Sequence, residues 1–369
     1  MHIGFDAKRA FSNNTGLGNY SRTLIRALAD RFPESRYSLY TPDRGSIFTP
    51  PQNSTLKTPD SLPGRLFKSY WRSYGIGRQI ANDGVDIFHG LSNEIPFSVP
   101  GKTTRSVVTI HDLIFLKRPE LYPFIDRRIY LRKARYAVQN ADRIIAVSRQ
   151  TGEDLVELLG AEEAKLRIIP QGCNPWFYTP VTDDVKKSIT AKYNLPEQYL
   201  LYVGTIEERK NLLIIIRALH EFGIDIPLVA IGRKTQYFRQ IKQFMEDHGV
   251  SNVHFLEGII NQDLPVLYQN AGMFIYPSSY EGFGIPVLEA LNSGIPVITS
   301  RGGCLEETAG KGALLVEPGN VEQLAHAIRS ILDDRELRNK LVENGMAHAM
   351  NFREENTIPR IHELYRELL

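Results

Sequence analysis

Two carboxylates, Glu281 and Glu289, stand eight positions apart in this sequence, with Gly282 and Gly284 between them. The apolar run 271–276 before them predicts a buried strand, and the residues after Gly284 predict the start of a helix. Where a strand passes into a helix, backbone N–H groups are unpaired and the helix dipole favours an anion. The pattern therefore predicts amides that bind a phosphate and carboxylates that bind hydroxyl groups. The alternative, a plain strand–turn–helix corner, leaves Glu281 unexplained.

A basic pair, Arg209 and Lys210, lies in a second loop of the same kind. The apolar run 199–203 predicts a strand, residues 212–220 predict a helix, and the pair stands just before that helix. An arginine can bind phosphate oxygens through two parallel hydrogen bonds, whereas a lysine supplies a point charge. The pair therefore predicts a phosphate site, with a solvated loop in which Glu208 pairs with Arg209 as the alternative.

The rest of the chain alternates short apolar runs with amphipathic stretches, which is typical of mostly parallel α/β sheets. The predicted strands are residues 2–5, 36–39, 87–89, 107–110, 143–147 and 166–169 in the first half, and 199–203, 227–232, 253–255, 273–276, 296–300 and 314–316 in the second. Residues 20–30 and 129–139 predict helices, and residues 170–175 predict a linker. Ligands bind sheets of this kind at the carboxyl ends of the strands.

The stretch E-G-F-G-I-P-V-L-E-A from Glu281 to Ala290 resembles the donor-site signature of retaining glycosyltransferases of family 4. The resemblance implies the GT-B fold, in which two Rossmann-like, doubly wound α/β domains face each other across a cleft. We therefore expect an acceptor-side domain over residues 1–175 and a nucleotide-sugar donor domain over residues 176–352. A C-terminal helix over residues 353–369 is expected to return to the first domain.

The resemblance also implies roles for individual residues. Glu281 is expected to hold hydroxyl groups of the donor sugar, Glu289 the ribose of the nucleotide, and Lys210 the diphosphate. Many family members carry an arginine where this chain has Thr205, and Arg209 can replace it, so which cation meets which phosphate stays open. The remaining residues expected at the donor are loop glycines and strand-end residues: Gly16, Gly18, Gly204, Gly232, Arg233, Ile259, Gly282, Phe283, Gly284 and Ile285.

Two histidines, His89 and His111, end predicted strands, and Asp112 follows the second one. A histidine is more often structural than catalytic, but an imidazole at a strand end can donate a hydrogen bond to a sugar hydroxyl. The stretch T-I-H-D-L at residues 109–113 resembles a family 4 element between acceptor and donor. His111 and Asp112 are therefore expected in the active site, and the choice between His89 and His111 stays open.

The glycines of residues 13–20 predict a loop, because glycine lets the backbone approach a ligand closely. Gly16 and Gly18 lie about ten residues past the first strand, too far for a dinucleotide-binding turn. In family 4 a glycine loop at this place borders the cleft and meets the donor phosphate and the acceptor. A simple flexible loop is the alternative reading of the same residues.

The sequence offers no convincing nucleophile and no Asp-x-Asp triplet of the kind that binds Mg²⁺ or Mn²⁺ with a nucleotide sugar. Cationic side chains and a helix dipole can supply the same electrostatic stabilisation. The resemblance implies a retaining, metal-independent reaction on one face of the sugar, in which the enzyme contributes positioning and charge. No cofactor is expected beyond the nucleotide-sugar co-substrate, linked to GDP or UDP.

The elements G-T-x-E-x-R-K-N and H-D-L look closest to bacterial mannosyltransferase-like members that build O-antigen or other surface polysaccharides. They make GDP-mannose the first donor to consider and a saccharide, lipid-linked, the expected acceptor. A nucleotide-sugar epimerase, a small-sugar synthase or a phosphorylase of the same fold are alternatives, as is a non-catalytic sugar-binding protein. A dehydrogenase is disfavoured because neither half has a compact G-x-G-x-x-G with a following acidic residue.

The composition, with 369 residues, 42% hydrophobic residues and a formal net charge of +2, is that of an ordinary globular protein with two domains. There is no run of 18 apolar residues, no visible secretory signal and no cysteine framework, which together predict a cytoplasmic protein. No nucleic-acid motif is present, so nucleic acid is not an expected partner. The N-terminal half carries the excess of basic residues, which favours an anionic partner.

Residues 65–74 predict a helix with Arg65, Lys68 and Arg72 on one side and four aromatic residues on another. A basic and aromatic helix of this kind is typical of elements that lie at a membrane interface. A second basic cluster occupies residues 127–135. The pattern predicts peripheral contact with an anionic membrane, at the inner face of the cytoplasmic membrane, with an ordinary packed helix as the alternative.

Overall fold

The computed structural model describes residues 1–99, 101 and 103–369 of the chain. They form two compact units, which we call unit 1 (Met1–Gly172 with Glu354–Leu369) and unit 2 (Cys173–Arg353). The C-terminal segment therefore belongs to the first unit. The boundary between the units lies after Gly172, whereas the sequence analysis placed it after residue 175.

Unit 1 contains a parallel sheet of seven strands with the spatial order β3-β2-β1-β4-β5-β6-β7. The strands are β1 His2–Asp6, β2 Arg36–Tyr40, β3 Ser54–Lys57, β4 Ile87–Gly90, β5 Arg105–Ile110, β6 Arg143–Ala146 and β7 Leu166–Ile168. The order reverses between β1 and β4. In doubly wound sheets, ligands bind at the carboxyl ends of the two strands that flank this reversal.

Unit 2 contains a parallel sheet of six strands with the spatial order β10-β9-β8-β11-β12-β13. The strands are β8 Leu200–Val203, β9 Leu228–Ile231, β10 Val253–Leu256, β11 Met273–Tyr276, β12 Val297–Ser300 and β13 Ala313–Val316. Here the order reverses between β8 and β11, which pair with each other. The loop with the basic pair follows β8 and the loop with Glu281 follows β11, so the topology places both loops at one edge of the sheet.

Seventeen α-helices connect the strands of the described residues. They are α1 Lys8–Ser12, α2 Gly16–Arg31, α3 Leu62–Leu66, α4 Lys68–Tyr70, α5 Ile76–Asn82, α6 Ile114–Lys117, α7 Phe124–Asn140, α8 Arg149–Leu159, α9 Asp183–Lys192, α10 Leu212–Glu221, α11 Phe238–His248, α12 Leu264–Asn270, α13 Ile285–Asn292, α14 Gly303–Ala309, α15 Val321–Asp333, α16 Arg335–Ala349 and α17 Glu354–Arg366. Several have local start and stop signals: Ser148 accepts a hydrogen bond from the Thr151 N–H at the start of α8, and Gly160 ends α8 with a left-handed conformation.

The sheets are buried, which explains why apolar runs predicted their strands. Every residue of β9, β11 and β12 is buried, as expected for parallel strands with both faces covered. Three strands at sheet edges, β3, β7 and β10, have no buried residue. Of these, β3 was not predicted, because its sequence, Ser-Thr-Leu-Lys, has no apolar run.

The predicted membrane helix over residues 65–74 is wrong in two respects. The segment is divided between α3, α4 and a π-helix, Trp71–Gly75, rather than one regular helix. In addition, Trp71 and Arg72 are buried, at 2% and 8% exposure. The Arg72 guanidinium forms ion pairs with Asp6 and Glu94, so it stabilises the interior of unit 1 and cannot belong to a solvent-facing basic stripe.

Candidate active site

The loop after β8 places Arg209 and Lys210 on a short 3₁₀ helix, Glu208–Lys210, just before α10. Asn211, in a left-handed conformation, joins this turn to α10. The aliphatic part of Lys210 packs over Gly204, at the end of β8, and its ammonium nitrogen lies 5.6 Å from the centre of the Tyr276 ring. The side chain of Lys210 is therefore mostly buried, with 16% of its surface exposed.

The loop after β11 carries Glu281 into the same place. The Glu281 Oε1 atom accepts hydrogen bonds from the Tyr276 hydroxyl at 2.7 Å and the Ser278 hydroxyl at 3.0 Å. It lies 2.7 Å from Nη1 of Arg209 and 4.0 Å from Nζ of Lys210. The structure thus brings together three residues that were predicted from two separate segments of the sequence.

The two cations of this cluster differ in what they are free to bind. The Arg209 guanidinium donates to the Tyr280 carbonyl and to Oε1 of Glu207, at 2.7 Å for the latter, in addition to its pair with Glu281. Its hydrogen-bonding fork is therefore engaged by the protein. The Lys210 ammonium, in contrast, donates no hydrogen bond to any of the described residues, which leaves it available for an anionic ligand.

Both members of the central ion pair are charged. Burial opposes the charge on Arg209, but the carboxylates of Glu281 and Glu207 outweigh burial and raise the pKa of the guanidinium. Burial likewise opposes the charge on Glu281, but Lys210 and Arg209 outweigh it and lower the pKa of the carboxyl. Every contact to this carboxylate ends on Oε1, so within the described part of the chain Oε2 takes no hydrogen bond. Oε2 is the oxygen that can accept from a ligand hydroxyl.

The glycines after Glu281 form the turn into α13. Gly284 precedes the helix with φ of +115°, and a Cβ atom there would lie 2.9 Å from Cδ2 of Leu305. Thr308 donates a hydrogen bond to the Phe283 carbonyl at 2.8 Å and fixes the turn. Among the described residues no acceptor is found for the N–H groups of Phe283, Gly284 and Ile285, which are therefore free to bind an anion at this helix start.

Glu289 lies one turn into α13 and has a different environment from Glu281. Its Oε2 atom accepts a hydrogen bond from the Tyr268 hydroxyl at 3.0 Å, and no other partner is found in the described part of the chain. Burial raises the pKa of Glu289 to about 8, although the bond from Tyr268 acts in the opposite direction. The carboxyl is therefore largely protonated at neutral pH and has an oxygen, Oε1, for a further polar group.

The other donor residues predicted in unit 2 lie at the ends of β8, β9 and β10. Gly232, after β9, approaches the loop after β8 so closely that a Cβ atom would lie 1.9 Å from the Gly204 carbonyl oxygen. The Thr205 carbonyl accepts a hydrogen bond from the Tyr202 hydroxyl, Arg233 is exposed and Ile259 is partly exposed. These residues share the sheet edge with the Lys210–Glu281 cluster.

His111, at the end of β5 in unit 1, is held by the protein through both ring nitrogens. Nε2 lies 2.8 Å from the Leu91 carbonyl oxygen and must donate to it, so Nδ1 accepts from the Gln171 side-chain amide at 3.0 Å. Burial lowers the pKa of His111 to about 4. A direct bond from His111 to a substrate would require the exchange of one of these hydrogen bonds. Asp112 caps the following turn by accepting from the Ile114 N–H at 3.1 Å.

His89 belongs to the core of unit 1. It is fully buried, and its ring nitrogens contact the Tyr365 hydroxyl at 2.6 Å and the Thr109 hydroxyl at 2.8 Å. Burial lowers the pKa of His89 to about 3. Tyr365 lies on α17, so His89 connects the C-terminal helix to the sheet. Of the two histidines, His111 is the one that lies directly after a strand, at the end of β5.

The predicted glycine loop over residues 13–20 is wrong in its secondary structure, because Gly16 and Gly18 lie in the first turn of α2. A Cβ atom at Gly18 would lie 1.8 Å from the Asn13 carbonyl oxygen. Gly18 is therefore required because α2 approaches the backbone of Asn13 closely, and both belong to unit 1. Gly16 has open space where a Cβ would be.

The sequence analysis missed the tyrosines that support both glutamates. Tyr276 is the last residue of β11 and bonds Glu281, while Tyr268 lies on α12 and bonds Glu289. Tyr276 could have been found from its place at a strand end, whereas Tyr268 has no local signal. Within the described ranges, no group of three or more His, Cys, Asp or Glu residues is arranged to hold a metal ion. No helix there is long and apolar enough to cross a membrane.

The sequence matches two family descriptions, one in each unit. Residues 14–177 match Glycosyltransferase Family 4, and residues 185–348 match Glycosyl transferases group 1. The O-antigen chain mannosyltransferase B of Escherichia coli is 31% identical over 291 residues, which cover 76% of this chain and 74% of that protein. The serotype-specific mannosyltransferase WbdA of Escherichia coli is 26% identical over 298 residues, which cover 77% of this chain and 36% of WbdA.

Among solved structures, sucrose-phosphate synthase from Thermosynechococcus elongatus superimposes with a TM-score of 0.79 and 22% identity. The likeness covers 100% of this chain and 99% of that one, and it confirms the GT-B fold expected from the sequence. With family matches in both units and a relative 31% identical over most of its length, the chain belongs to the family 4 glycosyltransferases.

Proposed function

We propose that this glycosyltransferase transfers mannose from GDP-mannose, with retention of configuration and without a metal ion, to a lipid-linked saccharide in the assembly of an O-antigen-type surface polysaccharide. The similarity to O-antigen chain mannosyltransferase B supports the choice of mannose and of a polysaccharide acceptor. The proposal places the reaction in the cytoplasm, at the inner face of the cytoplasmic membrane. UDP-linked sugars are the second donor class to test.

One observation carries the assignment of the donor site. The Lys210 ammonium is mostly buried at the carboxyl end of β8, has no hydrogen-bond acceptor among the described residues, and lies 4.0 Å from Glu281. A buried ammonium without an acceptor is costly unless an anion meets it. In our proposal that anion is the donor diphosphate, whose charge grows as the bond to the sugar breaks and which Lys210 then stabilises.

Arg209 has a supporting role in this proposal. Since its fork is engaged by Glu281, Glu207 and a carbonyl, it positions the Glu281 carboxylate and, together with Lys210, keeps it ionised. Oε2 of Glu281 then accepts from hydroxyl groups of the donor sugar and orients the sugar above the diphosphate. The free N–H groups of Phe283 and Gly284 bind phosphate or sugar oxygens at the start of α13.

Glu289 completes the proposed donor site. A ribose offers two neighbouring hydroxyl groups, and the Glu289 carboxyl has one oxygen that no described residue occupies. Hydrogen bonds from the ribose favour the ionised carboxylate, so nucleotide binding is expected to lower the pKa of Glu289 from about 8. Gly232, Arg233 and Ile259 are proposed to border the nucleobase, and His111 and Asp112 the acceptor side.

Thermal unfolding and calorimetry with GDP, UDP, ADP and their sugars test the donor. We expect GDP and GDP-mannose to stabilise the wild type and to lose this effect in Lys210→Ala and Glu289→Ala. Lys311→Ala, which changes an exposed lysine of unit 2, is the matched control and should bind like the wild type. Preferential stabilisation by UDP would replace GDP in the proposal, and no stabilisation by any nucleotide would overturn it.

Product analysis tests the reaction. GDP-mannose and a synthetic lipid-linked mannosyl primer are incubated with and without EDTA, and the anomeric configuration of the product is read by NMR. We expect an α-linked mannoside, the configuration of the donor, at an unchanged rate in EDTA. A β-linked product would contradict retention, and loss of the rate in EDTA, restored by Mg²⁺, would contradict metal independence.

A further inference from the structure

Unit 1 exposes apolar side chains along two segments, residues 62–74 and 124–135, which we call the basic-aromatic surface. Leu66 and Phe67 are 76% and 66% exposed, and Ile125 is 70% exposed. Single exposed apolar residues are common on proteins, but a contiguous group marks a surface that binds a partner or a membrane. A binding surface requires that these side chains are contiguous and that a partner suits their chemistry.

Ring contacts join the two segments into one surface. Tyr70 stacks on Tyr74 with 5.5 Å between ring centres, and Tyr74 stacks on Phe97 at 5.1 Å. The Arg132 guanidinium, from the second segment, lies 5.3 Å from the centre of the Phe97 ring. Tyr70 and Tyr74 of the first segment are thus connected through Phe97 to Arg132 of α7.

The first turns of α7 contain no buried residue. The buried residues of this helix begin at Ala134, and none of residues 124–130 is buried. Phe124, Ile129 and Tyr130 are nevertheless apolar, and between 44% and 59% of the surface of each is exposed. Tyr130 packs edge-on against Phe115 and Tyr122, whereas Phe124 and Ile129 leave about half of their surface exposed to solvent.

The charge of the surface is almost entirely positive. Residues 62–74 contain no acidic residue and residues 124–135 contain one, Asp126. Arg128, Arg132 and Arg135 line an open groove of about 470 Å³ beside Phe97. The planar fork of arginine suits phosphate oxygens, and three such forks next to exposed aromatic rings suit a surface that is anionic outside and apolar beneath.

We propose that the basic-aromatic surface binds an anionic phospholipid bilayer, with the arginines of α7 on headgroup phosphates and the apolar side chains inserted beneath them. Proteins that lie on membranes combine basic and bulky apolar side chains in this way. A second copy of the chain is a poorer occupant, because a symmetric contact would set arginines against arginines. The residues differ from the predicted helix, since Trp71 and Arg72 are excluded and the first turns of α7 are added.

The inference deepens the proposed function, which places the reaction at the inner face of the cytoplasmic membrane, but its test requires neither donor nor acceptor. It is tested by flotation of the full chain with vesicles of phosphatidylcholine and with vesicles of phosphatidylcholine mixed with an equal amount of phosphatidylglycerol. We expect the protein to float with the mixed vesicles and to stay behind with the neutral ones. Nucleotide binding is measured in parallel, so that failure of the donor proposal and failure of membrane binding are recorded separately.

Two variants locate the binding surface. Arg128→Gln with Arg132→Gln should weaken partition on the order of 30-fold, at about fivefold for each basic residue removed near an anionic surface. Phe67→Ser with Ile125→Ser should weaken it without changing the net charge. The control, Lys186→Gln with Lys187→Gln, removes the same charge from α9 of unit 2 and should bind vesicles like the wild type.

Several results would overturn the proposal. One is a wild type that floats with neither kind of vesicle, and another is a Lys186/Lys187 control that loses as much partition as the arginine variant. Full displacement by inorganic phosphate, at an ionic strength matched with chloride, would identify a site for a free anion instead. A wild-type dimer that becomes a monomer in the Arg128/Arg132 variant, seen by sedimentation, would identify a contact between copies of the chain. Thermal unfolding confirms that each variant is folded.

Discussion

The guanidinium of Arg209 and the carboxylate of Glu281 form an ion pair with 2.7 Å between Nη1 and Oε1, and about a tenth of each side chain is exposed. Lys210, the next residue in the chain, lies 4.0 Å from the same oxygen and makes no hydrogen bond within the described residues. Two adjacent cations therefore differ in their use. Arg209 stabilises the folded loop, whereas Lys210 remains available for a ligand.

This difference predicts opposite effects of two similar substitutions. Arg209→Met should destabilise the protein by about 3 kcal/mol or more, because it leaves Glu281 and Glu207 without their buried partner. Lys210→Met should change stability by less than about 1 kcal/mol but should abolish most of the transferase rate. Chemical denaturation and initial rates at saturating donor measure the two effects. Equal losses of stability in both variants would contradict the division of roles.

The raised pKa of Glu289 predicts that the stability of the protein depends on pH. Its pKa in the folded protein, about 8, lies above the ordinary value of 4.5 for a glutamate. The stability that Glu289 contributes is therefore complete below pH 4.5 and is lost as the pH rises towards 8. Glu289→Gln should remove this loss, so that the variant gains on the order of 1–3 kcal/mol relative to the wild type between pH 5 and 8.

Denaturation of both proteins across that pH range measures the effect, with the exposed Glu343→Gln as the control. A constant difference between wild type and Glu289→Gln would show that the carboxyl is already ionised at low pH.

If the nucleotide ribose donates to Glu289, binding should also release protons near pH 7.5. Calorimetry in buffers of different ionisation enthalpy detects this release, which should vanish in Glu289→Gln.

The side-chain amide of Gln171 donates to Nδ1 of His111. Together with burial, this hydrogen bond favours the neutral imidazole. Replacing Gln171 with Glu would place a hydrogen-bond acceptor there and favour the imidazolium, which raises the pKa of His111 from about 4. Titration of the imidazole by NMR measures the pKa, and the exposed Gln243→Glu serves as a control of equal charge. A His111 pKa that stays near 4 in Gln171→Glu would contradict this account.

Gly284 predicts a local effect on donor binding. A side chain there meets two obstacles, a φ of +115° and a distance of 2.9 Å from Cδ2 of Leu305. Gly284→Ala should therefore destabilise the protein by more than about 1 kcal/mol and weaken nucleotide binding, since the free amides of this turn shift. Gly319→Ala is the matched control, with φ of +86° and open space. Unchanged nucleotide affinity in Gly284→Ala would separate the turn from the donor site.

Most of the fold was predictable because the central strands of its sheets are buried on both faces. A strand such as β11 is apolar at each position and can be recognised without knowledge of its neighbours. The edge strand β3 could not be recognised, since its neighbour on one side is solvent and its residues are mixed. The start of α2 was misplaced because glycines that pack closely, such as Gly18, resemble glycines of a loop in sequence.

The candidate site was predictable as a set of residues but not as a set of contacts. Arg209 and Lys210 carry the same charge and share a loop, so the sequence could not assign one to the protein and one to a ligand. That assignment depends on Glu281, which lies more than seventy positions further along the chain. The buried state of Arg72 could not be predicted either, because its partners Asp6 and Glu94 come from other elements of unit 1.

The position of α17 in the sequence determines the order in which the two units can complete their folding. Tyr365 on α17 is fully buried against the first sheet and is hydrogen-bonded to His89, yet α17 follows the whole of unit 2 in the sequence. A ribosome makes residues 1–172 of unit 1 first and makes α17 only after the whole of unit 2. Unit 1 therefore has an incomplete core while unit 2 is being synthesised, and unit 2 is the first of the two whose residues are all available for folding.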